Sequence, residues 1–253
     1  PGEVLQDIID RLIEILKKAI GTLFPPPRRD PLILDLDGDG IETTNVKDGT
    51  YFDHDDNGFA EQTGWVSPDD GLLVWDRNGD GVINSGRELF GDQTQLKSGA
   101  LASNGFQALA EYDDNLDGKI TSQDAIWSNL RVWRDVIGDV EVDPNTSHKE
   151  FLTLSEVGIA AVNLNSAPTN TIDAAGNTQA RLGSFEKTDG LTGQIAEYRL
   201  QRDTTFTFAT EYLPLPSDIK VLPNIQGSGN VYDLWQAMVR DTTGEIKTLV
   251  LDL

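Results

Sequence analysis

The chain has 253 residues, of which 38% are hydrophobic, enough for one large domain or two small ones with a real core. Its formal net charge of −22 makes nucleic acid a poor partner, because the phosphates would be repelled. The absence of cysteine excludes a disulfide framework and a thiol nucleophile, and no transmembrane run or signal peptide is visible.

The first thirty residues predict a helix and a stiff linker. Apolar residues recur at helical spacing through 3–20, so we expect an amphipathic helix that docks or binds a partner, with a membrane-surface helix as the alternative. Three prolines at 25–27 favour an extended linker that ends at Asp30-Pro31. Because the chain opens at Pro1-Gly2, we expect it to be a fragment of a longer protein.

The Asp30-Pro31 bond has chemistry of its own. The Asp30 carboxylate can attack its own main-chain carbonyl and close a cyclic anhydride, which is covalent catalysis in cis. The Pro31 nitrogen belongs to a tertiary amide and leaves comparatively well once it is protonated. A lone Asp-Pro pair is more often an ordinary turn, and a second pair occurs at 143–144.

Asp-rich loops begin directly after the predicted strand at 32–34. A hard cation such as calcium takes about six to eight oxygen ligands, which alternate residues of a tight loop direct inward around a glycine at position 6. Val46 stands at position 12 of the first loop, so another part of the fold must complete its shell. The predicted ligands of this loop are Asp35, Asp37 and Asp39, with Glu42 as one candidate to complete it.

Two further loop openings follow before residue 90. In the second loop Gly64 occupies position 12, so an earlier glutamate is expected to close the shell. In the third loop the closing glutamate comes one position late, and Gly86 can absorb the extra residue. The predicted ligands are Asp53, Asp55, Asn57, Phe59 and Glu61 in the second loop, and Asp76, Asn78, Asp80, Val82 and Glu88 in the third.

The loop at 113–124 fits the EF-hand template best. Gly118 occupies position 6, Ile120 at position 8 anchors the loop to a core, and Asp124 stands at position 12, where glutamate is usual. The shorter aspartate is expected to coordinate through one oxygen or through water. The predicted ligands are Asp113, Asn115, Asp117, Lys119 through its carbonyl, and Asp124, and a degenerate fifth opening adds Asp135.

Helices are expected around the loops and strands after them. The pattern predicts helices at 104–112, about 122–134, 151–158 and 231–239, and strands at 32–34, 72–75, 159–164, 179–186, 198–202 and 205–212. The predicted fold class is therefore α+β: a compact calcium-loaded module with several EF-hand-like loops, short helices and antiparallel strands, flanked by an N-terminal amphipathic helix and a C-terminal helix. We expect an upstream helix and linker at 1–30, the module at 31–207, and a C-terminal linker and helix at 208–253.

Several sequence motifs occur together in a familiar order. They are Asp-Pro-Leu-Ile-Leu-Asp-Leu-Asp-Gly-Asp-Gly-Ile-Glu at 30–42, Gly-Trp-Val at 64–66, Glu-Leu-Phe-Gly-Asp at 88–92 and Leu-Arg-Val-Trp at 130–133. Because it carries these motifs, the stretch of about 31–205 resembles the self-processing module of FrpC-like iron-regulated RTX proteins. The loop at 135–150 departs from the family, which usually has a complete calcium loop there.

The resemblance implies calcium-triggered autocleavage of the Asp30-Pro31 bond. In the family, the new aspartyl end is trapped by water or by a lysine amine of a neighbouring protein, and the second outcome is an isopeptide crosslink. Family calcium ligands that are essential for processing correspond to Asp113, Asp124 and Asp135. The resemblance also implies an extracellular or cell-surface virulence protein from a Gram-negative type I secretion system, with a monomeric module.

Three functions compete on the sequence alone. The first is a self-cleaving protease and protein ligase that acts in cis, and the second is a calcium-stiffened spacer of a secreted toxin or adhesin without enzymatic activity. The third, a calcium sensor with a groove for partner helices, is disfavoured because the chain has one methionine. The sequence does not identify the acid that would protonate the Pro31 nitrogen, since His54 and His148 are more typical of surface residues.

Overall fold

A computed structural model describes residues 30–48, 50–136 and 150–252. This part of the chain is mostly β, with twelve strands in curled antiparallel sheets and four short α-helices, and its helical content is only 16% when the 3-10 turns are included. The predicted α+β fold with EF-hand-like units is therefore wrong, because the acidic loops connect strands and short 3-10 turns instead of paired helices. The predicted N-terminal amphipathic helix lies outside the described residues.

Nine of the strands form one antiparallel sheet and the other three form a second. The strands are β1 (Leu32–Leu34), β2 (Thr50–Phe52), β3 (Phe59–Thr63), β4 (Gly71–Val74), β5 (Lys119–Thr121), β6 (Arg131–Trp133), β7 (Phe151–Thr153), β8 (Ile159–Asn163), β9 (Ala167–Ile172), β10 (Thr178–Lys187), β11 (Thr192–Arg199) and β12 (Arg202–Ala209). The large sheet has the order β5-β8-β10-β11-β1-β4-β6-β7, with β9 added alongside β10, and the small sheet has the order β12-β3-β2.

The short strand β1 is buried on both faces of the large sheet. Leu32 and Leu34 pack into one hydrophobic cluster with Phe185 and Ile195, whereas Ile33 points into a second cluster on the other face. All three residues of β1 are 0% exposed. A continuous apolar run is what a strand covered on both faces requires, and it holds the start of β1 in a fixed position between β11 and β4.

Four helices are described, and each is short. They are α1 (Gly105–Ala110), α2 (Ser217–Lys220), α3 (Leu234–Arg240) and α4 (Glu245–Leu251). Asn104 caps α1 by accepting a hydrogen bond from the Gln107 amide, and Phe106 and Leu109 then pack on the large sheet. The last three helices share a small cluster of their own around Ile219, Met238 and Val250.

Several local predictions can be compared with these elements. The strands expected at 32–34, 72–75, 159–164 and 179–186 are confirmed, as are the helices at 104–112 and 231–239. The helix expected at about 122–134 is wrong, because a 3-10 turn at Ala125–Ser128 leads into β6, whose Val132 pairs with Leu73 of β4. The helix expected at 151–158 is also wrong, because β7 extends the same sheet and turns follow.

Candidate functional site

The Asp30-Pro31 bond lies at the start of β1, against the neighbouring strand β11. The Tyr198 amide donates a hydrogen bond to the Pro31 carbonyl at 3.1 Å, and Leu32 then pairs with Glu197. Asp30 is only 6% exposed, although its side chain is ionisable. Burying a carboxyl group costs free energy unless the group is paired, so such a residue is a candidate for a functional role.

Gly91 covers the main chain of Asp30. A Cβ atom added to Gly91 would lie 2.6 Å from the Asp30 carbonyl oxygen and 3.0 Å from its carbonyl carbon, closer than side chains normally approach. The Gly91 amide donates a hydrogen bond to the buried Thr94 hydroxyl at 3.0 Å, which fixes this approach. Glycine is therefore required here for a close backbone contact.

The carboxyl group of Asp30 lies against that of Glu197, and the two are hydrogen-bonded to each other. Glu197 is 1% exposed, and its Oε1 accepts a hydrogen bond from the Gly105 amide at 3.3 Å. Asp30 Oδ2 faces Arg199 Nε at 3.6 Å. Asp30 Oδ1 and Glu197 Oε2 have no N–H or hydroxyl donor among the described groups, so a proton between the two carboxyl groups is needed to satisfy them.

This contact separates the acidities of the two carboxyl groups. Desolvation, together with the nearby Asp30 charge, raises the pKa of Glu197 to about 8. Desolvation and the charge of Asp92 raise the pKa of Asp30 to about 6, while Arg199 and the hydrogen bond from Glu197 oppose the rise. Because the groups titrate as a pair, between these values the pair holds one proton, mainly on Glu197.

A small cavity opens beside the Asp30-Pro31 bond. The residues that line it are Asp30, Pro31, His54, Gly86, Leu89, Gly91, Asp92 and Gln93. His54 is 1% exposed, and its Nε2 lies 3.0 Å from the Thr63 hydroxyl, so the expectation that this histidine is a surface residue is wrong. Its ring packs edge-on against Phe52. The other histidine, His148, lies outside the described residues.

Three clusters of carboxylate oxygens, each within 4.8 Å of one another, occur in the part of the chain that the structure describes. They are formed by Asp35, Asp37 and Asp39, by Glu42, Asp69 and Asp70, and by Asp76, Asp80 and Glu88. Carboxylates this close repel one another unless protons or a cation neutralise them. Carboxylate oxygen is also the ligand type that a hard cation such as calcium prefers.

Asp70 connects the first cluster to the second. It is 0% exposed, and its carboxylate accepts hydrogen bonds from the Leu36 amide at 3.2 Å and the Glu42 amide at 3.0 Å. Burial raises the pKa of Asp70 to about 7. The turn before β4 therefore brings acidic groups to the first loop, whose ligand shell is incomplete in sequence. Asp69 and Asp70 are candidate ligands that the sequence prediction missed.

The third cluster has the clearest features of a cation site. Glu88 is 3% exposed, and its Oε2 accepts a hydrogen bond from a main-chain amide at 2.9 Å, whereas its Oε1 has no donor among the described groups. Burial raises the pKa of Glu88, and the charges of Asp80 and Asp76 act in the same direction. A buried acceptor oxygen beside two carboxylates fits a bound cation. Two other predicted ligands of this loop are hydrogen-bonded to Asp80: Asn78 Oδ1 accepts from the Asp80 amide, and the Val82 amide donates to Asp80 Oδ1.

In the second loop, Glu61 is paired with a cationic side chain of the protein itself. Arg202 Nη1 lies 3.3 Å from Glu61 Oε1, and the two side chains are 4% and 1% exposed. Burial raises the pKa of Glu61 to about 7, and the Arg202 charge opposes the rise. Asp53 accepts hydrogen bonds from the amides of Asn57 and Gly58 at 3.1 and 2.8 Å. The other predicted ligands of this loop are the half-buried Asp55 and Phe59 at the start of β3.

The loop at 113–124 has the predicted turn but is not among these carboxylate clusters in the described residues. Gly118 has a φ of +83°, and Asp113 accepts hydrogen bonds from the amides of Asp117 and Gly118 at 3.2 and 2.9 Å. Asp124 is 3% exposed and accepts from a main-chain amide at 2.7 Å. The carboxylates of this loop therefore bind its own backbone. The remaining predicted ligands are Asn115, which accepts from the Asp117 amide, and Lys119, whose side chain pairs with Glu186.

Asp135, the last predicted ligand, lies two residues after the end of β6. It is 2% exposed, so the structure buries it although the loop that it opens is degenerate. The rest of that loop falls within 137–149, outside the described residues. The second Asp-Pro pair at 143–144 lies there as well.

Two of the acidic loops reach the walls of the cavity beside Asp30. The Gly86 amide donates a hydrogen bond to the Asp53 carbonyl at 2.9 Å, and a Cβ atom on Gly86 would overlap the His54 carbonyl. Glu88 stands three residues before Gly91 on one short segment. The position of each loop is therefore coupled through the backbone to the surroundings of Asp30.

Comparison with known proteins identifies the class of this chain. Residues 32–201 match the SPM domain, and because this match covers more than half of the chain, the chain belongs to the SPM-domain family. A curated relative is the iron-regulated protein FrpA of Neisseria meningitidis serogroup C, which is 43% identical over 210 residues. The alignment covers 82% of this chain but only 18% of that relative. None of the described helices has the length and hydropathy needed to span a bilayer.

The sequence prediction missed the residues that surround Asp30. Glu197 and Arg199 lie in β11, more than 160 positions along the chain, and pairing with β1 brings them to the bond. One signal was available: Glu197 stands in a mainly apolar run, between Ile195-Ala196 and Tyr198, where an acidic residue is unusual. Gly91 belongs to a motif that was noted for its resemblance, but only the fold shows that it contacts the Asp30 carbonyl.

Proposed function

We propose that this chain is a calcium-dependent self-processing module that cleaves its own Asp30-Pro31 bond. The observation that carries the proposal is the burial of the Asp30 carboxyl group and carbonyl in one enclosed site, between Glu197 and Gly91. An ordinary Asp-Pro turn has no need of such an environment. The relationship to FrpA supports a secreted RTX-type context, which we extend to this chain as part of the proposal.

The reaction begins with attack of an Asp30 carboxylate oxygen on the Asp30 main-chain carbonyl carbon. A bond forms between these two atoms, the bond from that carbon to the Pro31 nitrogen breaks, and the nitrogen takes up a proton and leaves as an amine. The product is a cyclic aspartyl anhydride. Attack in cis benefits from proximity, which in well-oriented systems is equivalent to an effective concentration of about 10⁵–10⁸ M.

The anhydride is then opened by a nucleophile. Water gives a free aspartate end and completes proteolysis, whereas a lysine amine of a neighbouring protein forms an isopeptide link to Asp30 and completes ligation. We place the approach of either nucleophile on the side of the small cavity beside Asp30. The module is then a single-turnover protease and protein ligase.

Calcium is the proposed trigger because the acidic loops need it to hold their shape. The residues that would hold the ion are those of the three carboxylate clusters, of which Asp76, Asp80 and Glu88 fit best because of the unpartnered Glu88 oxygen. The bound ion supplies charge neutralisation to these loops. A site at 100 times its dissociation constant adds about 2.7 kcal/mol to folding, so several sites act together as a switch for a protein exported to calcium-rich surroundings.

The cleavage test is an intact-mass time course after millimolar calcium is added to the apo protein. We expect a fragment that ends at Asp30 to appear in the wild type and not in Asp30→Asn, which keeps the shape but lacks the carboxylate. The Asp-Pro bond at 143–144 serves as an internal control and should stay intact. A chelator added before calcium should prevent cleavage.

The spacer function would be supported by a different result of the same experiment. An unchanged mass together with a large calcium-dependent rise in thermal stability would contradict self-processing. The clustered acidic loops would then serve only to stiffen the module.

The Glu88→Gln variant tests the cation site that lies on the same short segment as Gly91. Removing one ligand charge should raise the calcium concentration at half-maximal cleavage by on the order of tenfold, while the rate at saturating calcium changes less. The measurement is a calcium titration of the cleavage rate, with Glu211→Gln as the control, because Glu211 is an exposed partner of Arg240. An unchanged calcium midpoint would exclude Glu88 as a ligand that controls cleavage.

The Gly91→Ala variant tests the close contact with the Asp30 carbonyl. The added methyl group must displace that carbonyl, and a shift of about 1 Å can cost about 100-fold in rate. The matched control is Gly193→Ala, whose methyl group would meet the Phe185 ring instead and should reduce stability but not the cleavage rate of the folded protein. Equal cleavage rates in the two variants, measured at saturating calcium, would contradict a specific role for Gly91.

A further inference from the structure

We propose that Glu197 is the general acid of this reaction, the group that gives the Pro31 nitrogen its proton while the Asp30 carboxylate attacks. This role rests on the proposed cleavage of the Asp30-Pro31 bond. It assigns the proton source that the sequence could not identify. Neither histidine is needed for it.

The contacts of Glu197 leave one of its oxygens for this task. Oε1 is held by the Gly105 amide at 3.3 Å, at the start of α1, which orients the carboxyl group. Oε2 is buried and has no other donor among the described groups, and the Glu197 carboxyl is hydrogen-bonded to Asp30. A buried glutamate in this environment stays protonated because desolvation and the charge of Asp30 outweigh the opposing effect of Arg181.

The position of Glu197 follows from the register of the sheet. Leu32 of β1 pairs with Glu197 of β11, and the Tyr198 amide bonds the Pro31 carbonyl at 3.1 Å. The side chains of Asp30 and Leu32 point to the same face of the sheet, because alternate residues of a strand do so. The acid therefore lies in β11, and the nucleophile lies just before the start of the neighbouring strand β1.

The charged groups around the pair set its protonation. Arg199 of β11 faces Asp30 and lowers its pKa, whereas Asp92, the residue after Gly91, raises it. Arg181 of β10 lowers the pKa of Glu197. His54 lines the same cavity. With the pKa of Asp30 at about 6 and that of Glu197 at about 8, the reactive form is the singly protonated pair.

The proton transfers balance over the complete reaction. Glu197 loses its proton to the Pro31 nitrogen as the bond from that nitrogen to the Asp30 carbonyl carbon breaks, and it becomes a carboxylate. When water opens the anhydride, its oxygen bonds to a carbonyl carbon, the bond from that carbon to the ring oxygen breaks to release a carboxylate, and one water proton returns to Glu197. A lysine amine that attacks in place of water returns a proton in the same way. No oxidant or further reactant is needed.

The pH dependence of wild-type cleavage is the first test. At saturating calcium the rate should be highest between pH about 6 and about 8. It should fall about tenfold per unit below this range, as Asp30 is protonated, and above it, as Glu197 loses its proton. A rate that stays constant from pH 7 to pH 10 would overturn the proposal without a variant.

The second test is Glu197→Gln, which keeps a hydrogen-bond donor for Asp30 but has no acidic proton. We expect at least about a 100-fold fall in the cleavage rate at pH 7, an unchanged calcium-dependent melting temperature, and loss of the alkaline limb of the pH profile. Glu197→Asp, which retains an acid at a greater distance, should recover part of the rate and the alkaline limb. Glu156→Gln, which removes an exposed carboxylate elsewhere, is the charge control.

The outcomes separate this proposal from the proposed function. If the wild type cleaves and Glu197→Gln cleaves equally fast, Glu197 is not the acid, although self-processing stands. If the wild type does not cleave in calcium, self-processing itself fails. If Glu197→Gln does not fold, the wild-type pH profile and the Glu197→Asp rate decide the question.

Discussion

One proton shared by two buried carboxyl groups is the interaction on which the site at Asp30 depends. Asp30 is 6% exposed and Glu197 is 1% exposed. Ionising both carboxyl groups at once would carry a large electrostatic cost, because two negative charges would share one buried site. The two carboxyl groups are held together because hydrophobic neighbours on both faces of the sheet fix β1 and β11 in place. In the proposed function, the same arrangement supplies a nucleophile and an acid at neutral pH.

The acidic loops bear on this interaction through short backbone links. Gly86 and Gly91 bracket Glu88, and they contact the His54 and Asp30 carbonyls so closely that a side chain does not fit. Without a cation, the carboxylates of Asp76, Asp80 and Glu88 repel one another and oppose the conformation that brings Gly91 to Asp30. Calcium binding and assembly of the site are therefore one event in the proposed switch.

Local sequence signals were sufficient for some features and insufficient for others. The strand after the Asp30-Pro31 bond and the acidic loops could be predicted, because each depends on a few adjacent residues. The fold class could not, since Val132 and Trp133 fit a helix or a strand equally well and only pairing with β4 decides between them. Glu197 could not be predicted either, because its function depends on the register between β1 and β11. Asp70 reaches the first acidic loop in the same way, through tertiary contact.

The most direct test of the central claim is to trap the anhydride with hydroxylamine. Calcium is added to the wild type and to Asp30→Asn in the presence of hydroxylamine, and the N-terminal fragment is weighed by mass spectrometry. We expect the wild-type fragment to end in an aspartyl hydroxamate, because the amine competes with water for the anhydride, and no fragment to form from Asp30→Asn. A wild-type fragment that always ends in unmodified aspartate, or cleavage of Asp30→Asn at the same bond, would contradict attack by the Asp30 carboxylate.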